Sequence, residues 1–180
     1  DKMGLHSGDT SELFFDDLIV TTADILGGEG QGFVNMMKEL PRERLILGVG
    51  CVGAAQGAFD LTVAYITERQ AFGQAVSGFQ NSRYKLAEMK TDIELCRAMA
   101  EKYTAQFIAG ELTSAEASML KLAASEMQGR VADQCVQLFG GYGYMTEYPI
   151  SRAYLDARIQ RIYGGTSEIM KELISRSIVS

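Results

Sequence analysis

Apolar residues recur at helical spacing through most of the chain. From Glu43 to about Arg69 the positions of one face stand three or four residues apart, with apolar residues at Leu45, Val49, Val52, Phe59, Val63 and Ile66 and only Gln56 polar among them. From about Ser82 to Gly110 the same spacing is kept at Leu86, Met89, Ile93, Cys96, Ala100, Tyr103 and Phe107. The pattern predicts two long amphipathic helices, each with one buried face.

Two further helices are predicted in the second half of the chain. The third is capped by Thr113 or Ser114 and ends at the glycine pair 140–141, and its apolar face carries Leu120, Ala124, Met127, Val131, Cys135 and Leu138. The fourth begins at Thr166 and continues through Ile169, Leu173, Ile174 and Ile178. Four such helices bury their apolar faces best against one another, so the predicted fold is an all-α, up-and-down four-helix bundle.

The first 40 residues follow a different pattern. Residues 12–20 are rich in aromatic and β-branched types and predict one strand, the edge of a sheet whose other strands lie outside this chain. Residues 27–32 are glycine-rich and predict a connector, and residues 33–40 predict a short helix that Pro41 interrupts or restarts. We therefore expect a short β remnant over residues 1–26 and the helical bundle over residues 27–180, in a chain without its amino-terminal domains.

Composition and charge narrow the classes of function. The 180 residues are 47% hydrophobic and 22% charged, with a net charge of -6. No cluster of Lys and Arg indicates a nucleic-acid surface, and no uninterrupted apolar run reaches the roughly 18 residues of a membrane span. Cys51, Cys96 and Cys135 are expected to be buried thiols in a reducing compartment. The only histidine, His6, lies outside every predicted helix, so no metal site is predicted.

Four short strings break the periodic pattern. They are Pro-Arg-Glu-Arg at 41–44, Glu-Arg-Gln-Ala-Phe-Gly at 68–73 with Phe79-Gln80, Gln-Leu-Phe-Gly-Gly-Tyr-Gly at 137–143, and Ile-Tyr-Gly-Gly-Thr-Ser-Glu-Ile at 162–169. In this order and at these spacings they resemble the acyl-CoA dehydrogenase family over essentially the whole chain, most closely its long-chain branch. The resemblance implies that residues 1–26 end the family's middle β domain and that residues 27–180 form its carboxy-terminal helical domain.

The resemblance also implies a cofactor and partners. The cofactor is FAD, the assembly is a homotetramer built as a dimer of dimers, and an electron-transfer flavoprotein accepts the electrons. The protein is then expected in the cytoplasm of a bacterium or in the mitochondrial matrix of a eukaryote. Without the family's other domains, the chain alone is expected to be inactive.

Three of the strings are expected to bind the cofactor. A guanidinium pairs well with phosphate oxygens, although an arginine at a helix end also complements the helix dipole. By resemblance, FAD of a neighbouring subunit is contacted by Arg69, Phe72 and Gln80. The adenosine side of FAD is received by Gln137, Leu138, Phe139, Gly140 and Gly141, where a plain glycine C-cap is the alternative. Thr166, Ser167 and Glu168 lie at the start of a helix, where free backbone N–H groups can bind polar atoms of the cofactor. The alternative role of these residues is to cap the helix, and both roles can coexist.

The catalytic base is expected at an unusual position. In most of the resembled family the string near residue 163 reads Tyr-Glu-Gly-Thr, and its glutamate removes the substrate's α-proton. Here that position is Gly164. Branches without that glutamate carry the base in an x-x-Glu-Arg string, which residues 41–44 match, so the resemblance implies Glu43 as the base. It also implies a substrate site formed by Arg42, Arg44, Tyr163, Gly164 and Gly165. The alternative for Glu43 is a solvent-facing glutamate that complements the helix dipole.

The implied reaction is the oxidation of a fatty acyl-CoA to a trans-2-enoyl-CoA. Glu43 removes the α-proton, the flavin N5 accepts the β-hydride, and the backbone N–H of residue 164 helps to hold the thioester oxygen. Alternatives are an acyl-CoA oxidase-like flavoprotein, a flavoprotein for another CoA thioester, and a non-catalytic helical assembly module. The sequence also leaves open whether Gly48, Gly50 and Gly53 widen an acyl pocket or allow close helix packing.

Overall fold

The structure, a computed structural model, describes residues 1–179 and is all-α, as predicted. In that range it has five α-helices, α1 (Gly32–Glu68), α2 (Gln80–Ile108), α3 (Ser114–Phe139), α4 (Pro149–Arg158) and α5 (Ser167–Ile178). A two-residue antiparallel hairpin, β1 (Gln70–Ala71) and β2 (Gln74–Ala75), joins α1 to α2. Short 3-10 turns occupy Thr22–Asp24, Val76–Gly78, Gly140–Tyr144 and Ile159–Arg161.

Helix α3 lies at the centre of the domain and packs against each of the other four helices. Its predicted apolar face is buried, because Leu120, Ala124, Met127, Val131 and Cys135 are all at most 1% exposed. Thr113 is its N-cap: the Thr113 hydroxyl accepts from the N–H of Glu116, and the Glu116 carboxylate accepts from the Thr113 N–H at 3.0 Å. This reciprocal capping fixes where the central helix begins.

Close packing of α1 on α3 depends on Gly48. A Cβ at Gly48 would lie 2.6 Å from Cγ of Leu120, so any side chain there must push the helices apart. A Cβ at Gly50 or Gly53 would meet no atom of the described residues within 4 Å. Of the three glycines, Gly48 therefore serves helix packing.

Two expectations for the amino-terminal region were wrong. The segment 12–20 forms no strand, and its Phe14 and Ile19 side chains are 86% and 90% exposed. A strand needs neighbours to pair with, and the described residues provide none for this segment. Nor does Pro41 interrupt the helix, since α1 runs unbroken from Gly32 to Glu68. Proline removes one hydrogen bond, and the carbonyl it leaves without a partner belongs to half-exposed Met37, where water can reach it.

Helix α4 was not predicted, although the sequence carries its signal. Pro149 occupies the first turn, where the missing N–H costs nothing, and the buried residues Ile150 and Ala157 share one face. The amino-terminal segment packs on this helix, because the N–H of Leu5 donates to the Asp156 carboxylate at 2.6 Å.

The length and apolar composition of α1 also fit a membrane span. One 18-residue window of it has a mean hydropathy of 1.5, and 33% of that window is buried. Core helices of water-soluble proteins meet the same criterion, and α1 contributes Leu45, Cys51 and Ile66 to the core. By itself the window is weak evidence for a membrane segment.

Candidate functional site

Glu43 and Gly164, far apart in sequence, lie side by side. Glu43 is an exposed residue of α1, and Gly164 lies in the loop between the Ile159–Arg161 turn and α5. A Cβ at Gly164 would lie 3.8 Å from Oε1 of Glu43 and 3.2 Å from Cδ1 of Leu47. The Glu43 carboxylate therefore reaches the space next to residue 164 that a side chain at that position would enter.

The double-glycine loop has a backbone that favours glycine at both positions. Gly164 has φ of 64° and Gly165 has φ of 105°. A Cβ at Gly165 would also lie 2.6 Å from Cε of Met170. Within residues 1–179, the N–H groups of Gly164, Gly165 and Thr166 donate to no protein acceptor. The loop next to the Glu43 carboxylate thus has three backbone donors without a protein acceptor among the described residues.

Two buried cations bind the carbonyl oxygens of this loop. Nε of Arg44 donates to the Gly164 carbonyl at 3.3 Å, and Nζ of Lys121, on α3, donates to the Gly165 carbonyl at 2.6 Å. Arg44 is 5% exposed and Lys121 is fully buried. Burial lowers the pKa of both groups, and the nearby charge of Glu43 partly offsets this lowering of the pKa of Arg44.

Lys121 is the residue of this site that sequence reasoning missed. It interrupts a run of apolar and small residues at the centre of α3, which was the available signal. The helical pattern alone places such a lysine at the surface, because lysine is rarely fully buried.

Of the other two predicted substrate residues, Tyr163 lies next to this network and Arg42 lies outside it. The Tyr163 hydroxyl donates to Oε1 of Gln160 at 2.7 Å, and the buried Cys51 thiol lies 3.7 Å from the same oxygen. Burial raises the pKa of Tyr163, and it raises the pKa of Cys51 to about 12, so this thiol stays protonated. Arg42 instead forms an exposed ion pair with Glu39 at 2.7 Å. Arg44, Gly164 and Gly165 thus join Glu43 in one network, to which Tyr163 is adjacent, and Arg42 faces solvent.

A pocket brings together residues of two sequence segments that are predicted to bind the cofactor. A pocket of about 510 Å³ is lined by Arg69 and by the segment from Gln137 through Leu138, Phe139 and Gly140 to Gly141. The Arg69 guanidinium lies 5.3 Å from the ring centre of Tyr142 and has no carboxylate within 4 Å among residues 1–179. The Phe139 ring is buried and stacks on Tyr65 with 4.0 Å between centroids. The ring therefore supports the pocket wall, while the guanidinium remains available to a ligand.

The hairpin after α1 presents Phe72 to solvent. Phe72 and Gly73 form its two-residue turn with φ of 50° and 81°, and positive φ at both positions is what such a turn requires. The Phe72 side chain is 98% exposed, and its ring lies nearly perpendicular to that of Phe79, with 6.4 Å between the ring centroids. Gln80, the first residue of α2, is also exposed, and its side-chain amide donates to the Tyr84 hydroxyl at 2.6 Å. An aromatic side chain exposed on a strained backbone is typical of a contact surface.

At the start of α5 the side chains of the predicted cofactor residues are largely engaged within the domain. Thr166 is the N-cap and accepts from the N–H of Ile169 at 3.3 Å. Ser167 is buried and donates to Glu126 at 2.7 Å. Glu168 is exposed, and hydrogen bonds from its own N–H and from the Thr166 hydroxyl lower the pKa of its carboxyl. What this terminus offers a ligand is therefore its backbone N–H groups.

Comparison with known proteins places the chain in a family. The family described as "Acyl-CoA dehydrogenase, C-terminal domain" matches residues 30–179. The mitochondrial long-chain specific acyl-CoA dehydrogenase of Rattus norvegicus is 50% identical over 179 residues, which are 99% of this chain and 42% of the relative. The crystal structure of acyl-CoA dehydrogenase from Geobacillus kaustophilus superimposes with a TM-score of 0.96 at 44% identity, over 99% of this chain and 47% of that one. Butyryl-CoA dehydrogenase from Megasphaera elsdenii gives 0.96 at 37% identity, over 100% and 47%.

The chain spans less than half the length of these relatives. The match nonetheless covers nearly all of this chain, including α1 to α5 and the double-glycine loop. The chain therefore belongs to the acyl-CoA dehydrogenase family and contains its carboxy-terminal helical domain.

Proposed function

We propose that this chain is part of an FAD-dependent enzyme that oxidises a fatty acyl-CoA to a trans-2-enoyl-CoA, with Glu43 as the base that removes the α-proton. One observation carries the proposal: Oε1 of Glu43 lies 3.8 Å from the Cβ position of residue 164. A carboxylate is thus supplied by α1 at the place where the loop itself has no side chain.

The surroundings of Glu43 suit removal of a weakly acidic proton. The α-proton of a thioester leaves only when negative charge on the thioester oxygen is stabilised at the same time. The N–H of Gly164 has no acceptor within the described residues and is available to hold that oxygen. Because this donor belongs to the backbone, the glycine at position 164 keeps it while losing the side chain.

The residues of the pocket at Arg69 fit a flavin dinucleotide. A pyrophosphate needs a guanidinium that is not already neutralised, and Arg69 meets this requirement. A Cβ at Gly140 or Gly141 would meet no described atom within 4 Å, so a ligand can approach the backbone there. FAD, when bound, supplies the acceptor for the β-hydride.

The partners belong to the same proposal. The exposed Phe72 suits contact with a cofactor held by a neighbouring subunit, which requires a homo-oligomer, for which we propose a tetramer. An electron-transfer flavoprotein is the proposed electron acceptor. Reoxidation of the reduced flavin by that protein and not by oxygen would distinguish a dehydrogenase from an oxidase.

The test is Glu43→Gln in the full-length protein. We expect kcat for acyl-CoA oxidation to fall by about 10²- to 10⁴-fold, the usual contribution of a general base, with the flavin content unchanged. Glu39→Gln is the matched control, since Glu39 is an exposed glutamate of the same helix about one turn earlier, and its kcat should stay near that of the parent. Turnover at the parent rate in Glu43→Gln would refute the assignment.

A further inference from the structure

We propose that Lys121 is a positioning residue for proton removal: from the interior of α3 it holds the carbonyl of Gly165 and so fixes the loop that faces Glu43. The inference rests on the proposed function of Glu43. It concerns a side chain that acts through the loop and not on the substrate.

The burial of Lys121 indicates a specific role. Lys121 is fully buried, and its one hydrogen bond is the 2.6 Å contact with the Gly165 carbonyl. In the part of the chain that the structure describes, no carboxylate lies within 4 Å of its ammonium group. A buried charge that contacts no carboxylate is costly, whereas an apolar side chain of the same length fills the same space without that cost.

Two carboxylates, those of Glu126 and Glu168, act on the charge of Lys121 without contacting it. Glu126 accepts from the Ser167 hydroxyl at 2.7 Å and pairs with Arg161 at 3.4 Å. Among the described residues, the Gly165 carbonyl is the group to which Lys121 donates a hydrogen bond. This contact ties the central helix of the domain to the loop next to the proposed base.

The loop depends on its carbonyl contacts for its conformation. The N–H groups of Gly164, Gly165 and Thr166 donate to no acceptor in residues 1–179, so the carbonyl contacts with Arg44 and Lys121 hold this backbone. The C=O of one residue shares its peptide with the N–H of the next, so the Arg44 contact orients the N–H of Gly165 and the Lys121 contact orients the N–H of Thr166. The two contacts act on the N–H of Gly164 through the loop backbone, because they fix the two peptides that follow it.

Lys121 is the better of the two contacts to test. Arg44 follows Glu43 directly on α1, so a substitution of Arg44 also disturbs the proposed base itself. Lys121 is on α3, so its substitution leaves Glu43 and its neighbours in α1 unchanged. Its hydrogen bond to the Gly165 carbonyl is the path proposed for its effect on the chemical step.

The experiment uses the full-length, flavin-loaded protein with Lys121→Met. An anaerobic single turnover with acyl-CoA gives two quantities: the amplitude of flavin reduction, which reports the fraction of active protein, and its rate constant, which reports the chemical step. We expect the rate constant to fall by about 10- to 100-fold, the effect of a misplaced reacting group, while the amplitude changes little. A purely structural role would lower the amplitude and leave the rate constant unchanged.

The matched control is Gln128→Met. Gln128 lies two turns further along α3, is 5% exposed and forms no hydrogen bond with the loop in the described residues, so its variant should keep the parent rate constant. If Lys121→Met fails to fold, Lys121→Gln, which keeps a polar but shorter side chain, should show the same loss of rate. A parent rate constant in a folded Lys121 variant overturns this inference alone when Glu43→Gln is inactive. Parent turnover in Glu43→Gln instead overturns the proposed function.

Discussion

Moving the carboxylate from position 43 to position 164 is expected to restore part of the activity that is lost when Glu43 is removed. The change is the double variant Glu43→Ala with Gly164→Glu in the full-length protein. A Cβ at residue 164 lies 3.8 Å from Oε1 of Glu43, so a glutamate built on the loop begins within reach of the place that the native carboxylate occupies. Removal of the Glu43 side chain vacates that place.

The structural cost of the new glutamate is small enough for the protein to fold. Gly164 has φ of 64°, in the left-handed region, where a residue other than glycine costs about 1–2 kcal/mol. The Cδ1 atom of Leu47, at 3.2 Å from the new Cβ, must move by a few tenths of an ångström, and it is the free end of a flexible side chain. This total is well below the roughly 5–15 kcal/mol by which domains are stable.

The expected rates follow from the role of a base. Glu43→Ala should lower the rate constant of flavin reduction by about 10²- to 10⁴-fold. The double variant should recover at least about 10-fold of this loss, but not all of it, because a carboxylate that enters from the loop is misplaced by a fraction of an ångström or more. Anaerobic single turnovers of the parent, both single variants and the double variant give the four rate constants of flavin reduction that a double-mutant cycle requires.

The matched control is Glu43→Ala with Gly164→Gln. It has the same size and the same backbone strain at position 164 but no base, so it should remain as slow as Glu43→Ala. The reasoning is refuted if the double variant with glutamate folds, binds flavin and is no faster than this control.

Two further predictions concern stability. Gly48→Ala is expected to lower the free energy of unfolding by about 1–2 kcal/mol, because the new methyl group overpacks the contact with Leu120. The control Gly57→Ala, where a methyl group meets no described atom, should raise the free energy of unfolding by about 0.5–1 kcal/mol. Urea melts in which both variants change stability in the same direction would contradict the role of Gly48 in helix packing. Thr113→Ala should cost about 1 kcal/mol near neutral pH. Hydrogen bonds from Thr113 lower the pKa of Glu116 below its ordinary 4.5 in the folded protein, so this stabilisation is present above pH 4.5 and is lost as the pH falls through the folded-state pKa. The difference between the melts of parent and variant should therefore shrink in acid to the part contributed by the N-cap bond from the Glu116 N–H to the Thr113 hydroxyl, and a constant difference would exclude the carboxylate as a cause.

The bundle could be predicted because its signals are local. The spacing of apolar residues on α3, from Leu120 to Cys135, fixed its buried face, and the residues around Thr113 fixed its start. The pairing of Glu43 with Gly164 came from resemblance and not from periodicity, because no local pattern relates residues on different elements. The segment 12–20 misled the prediction for the opposite reason, since strand-like residues form a strand only where another strand is present.

Lys121 could not be predicted from spacing because its burial depends on a tertiary contact. In the sequence it stands between Leu120 and Leu122, and nothing nearby indicates an acceptor for its ammonium group. The acceptor is the Gly165 carbonyl, which reaches α3 only when the loop before α5 is in place. A charged residue within an apolar helix is thus better read as a sign of a distant backbone contact than as an exception to the pattern.

The two cations explain how one loop can serve bases on different elements. On the proposed mechanism the loop must keep the N–H of Gly164 in place, and Arg44 and Lys121 contribute by fixing the two peptides that follow it, whatever the side chain at position 164. The carboxylate has a separate requirement, which is only to reach the same carbon, and α1 meets it with Glu43. Because the two requirements are met by different parts of the chain, loss of the side chain at residue 164 need not disturb the donor. Loss of a carbonyl contact, in contrast, is expected to slow the reaction whichever residue carries the base.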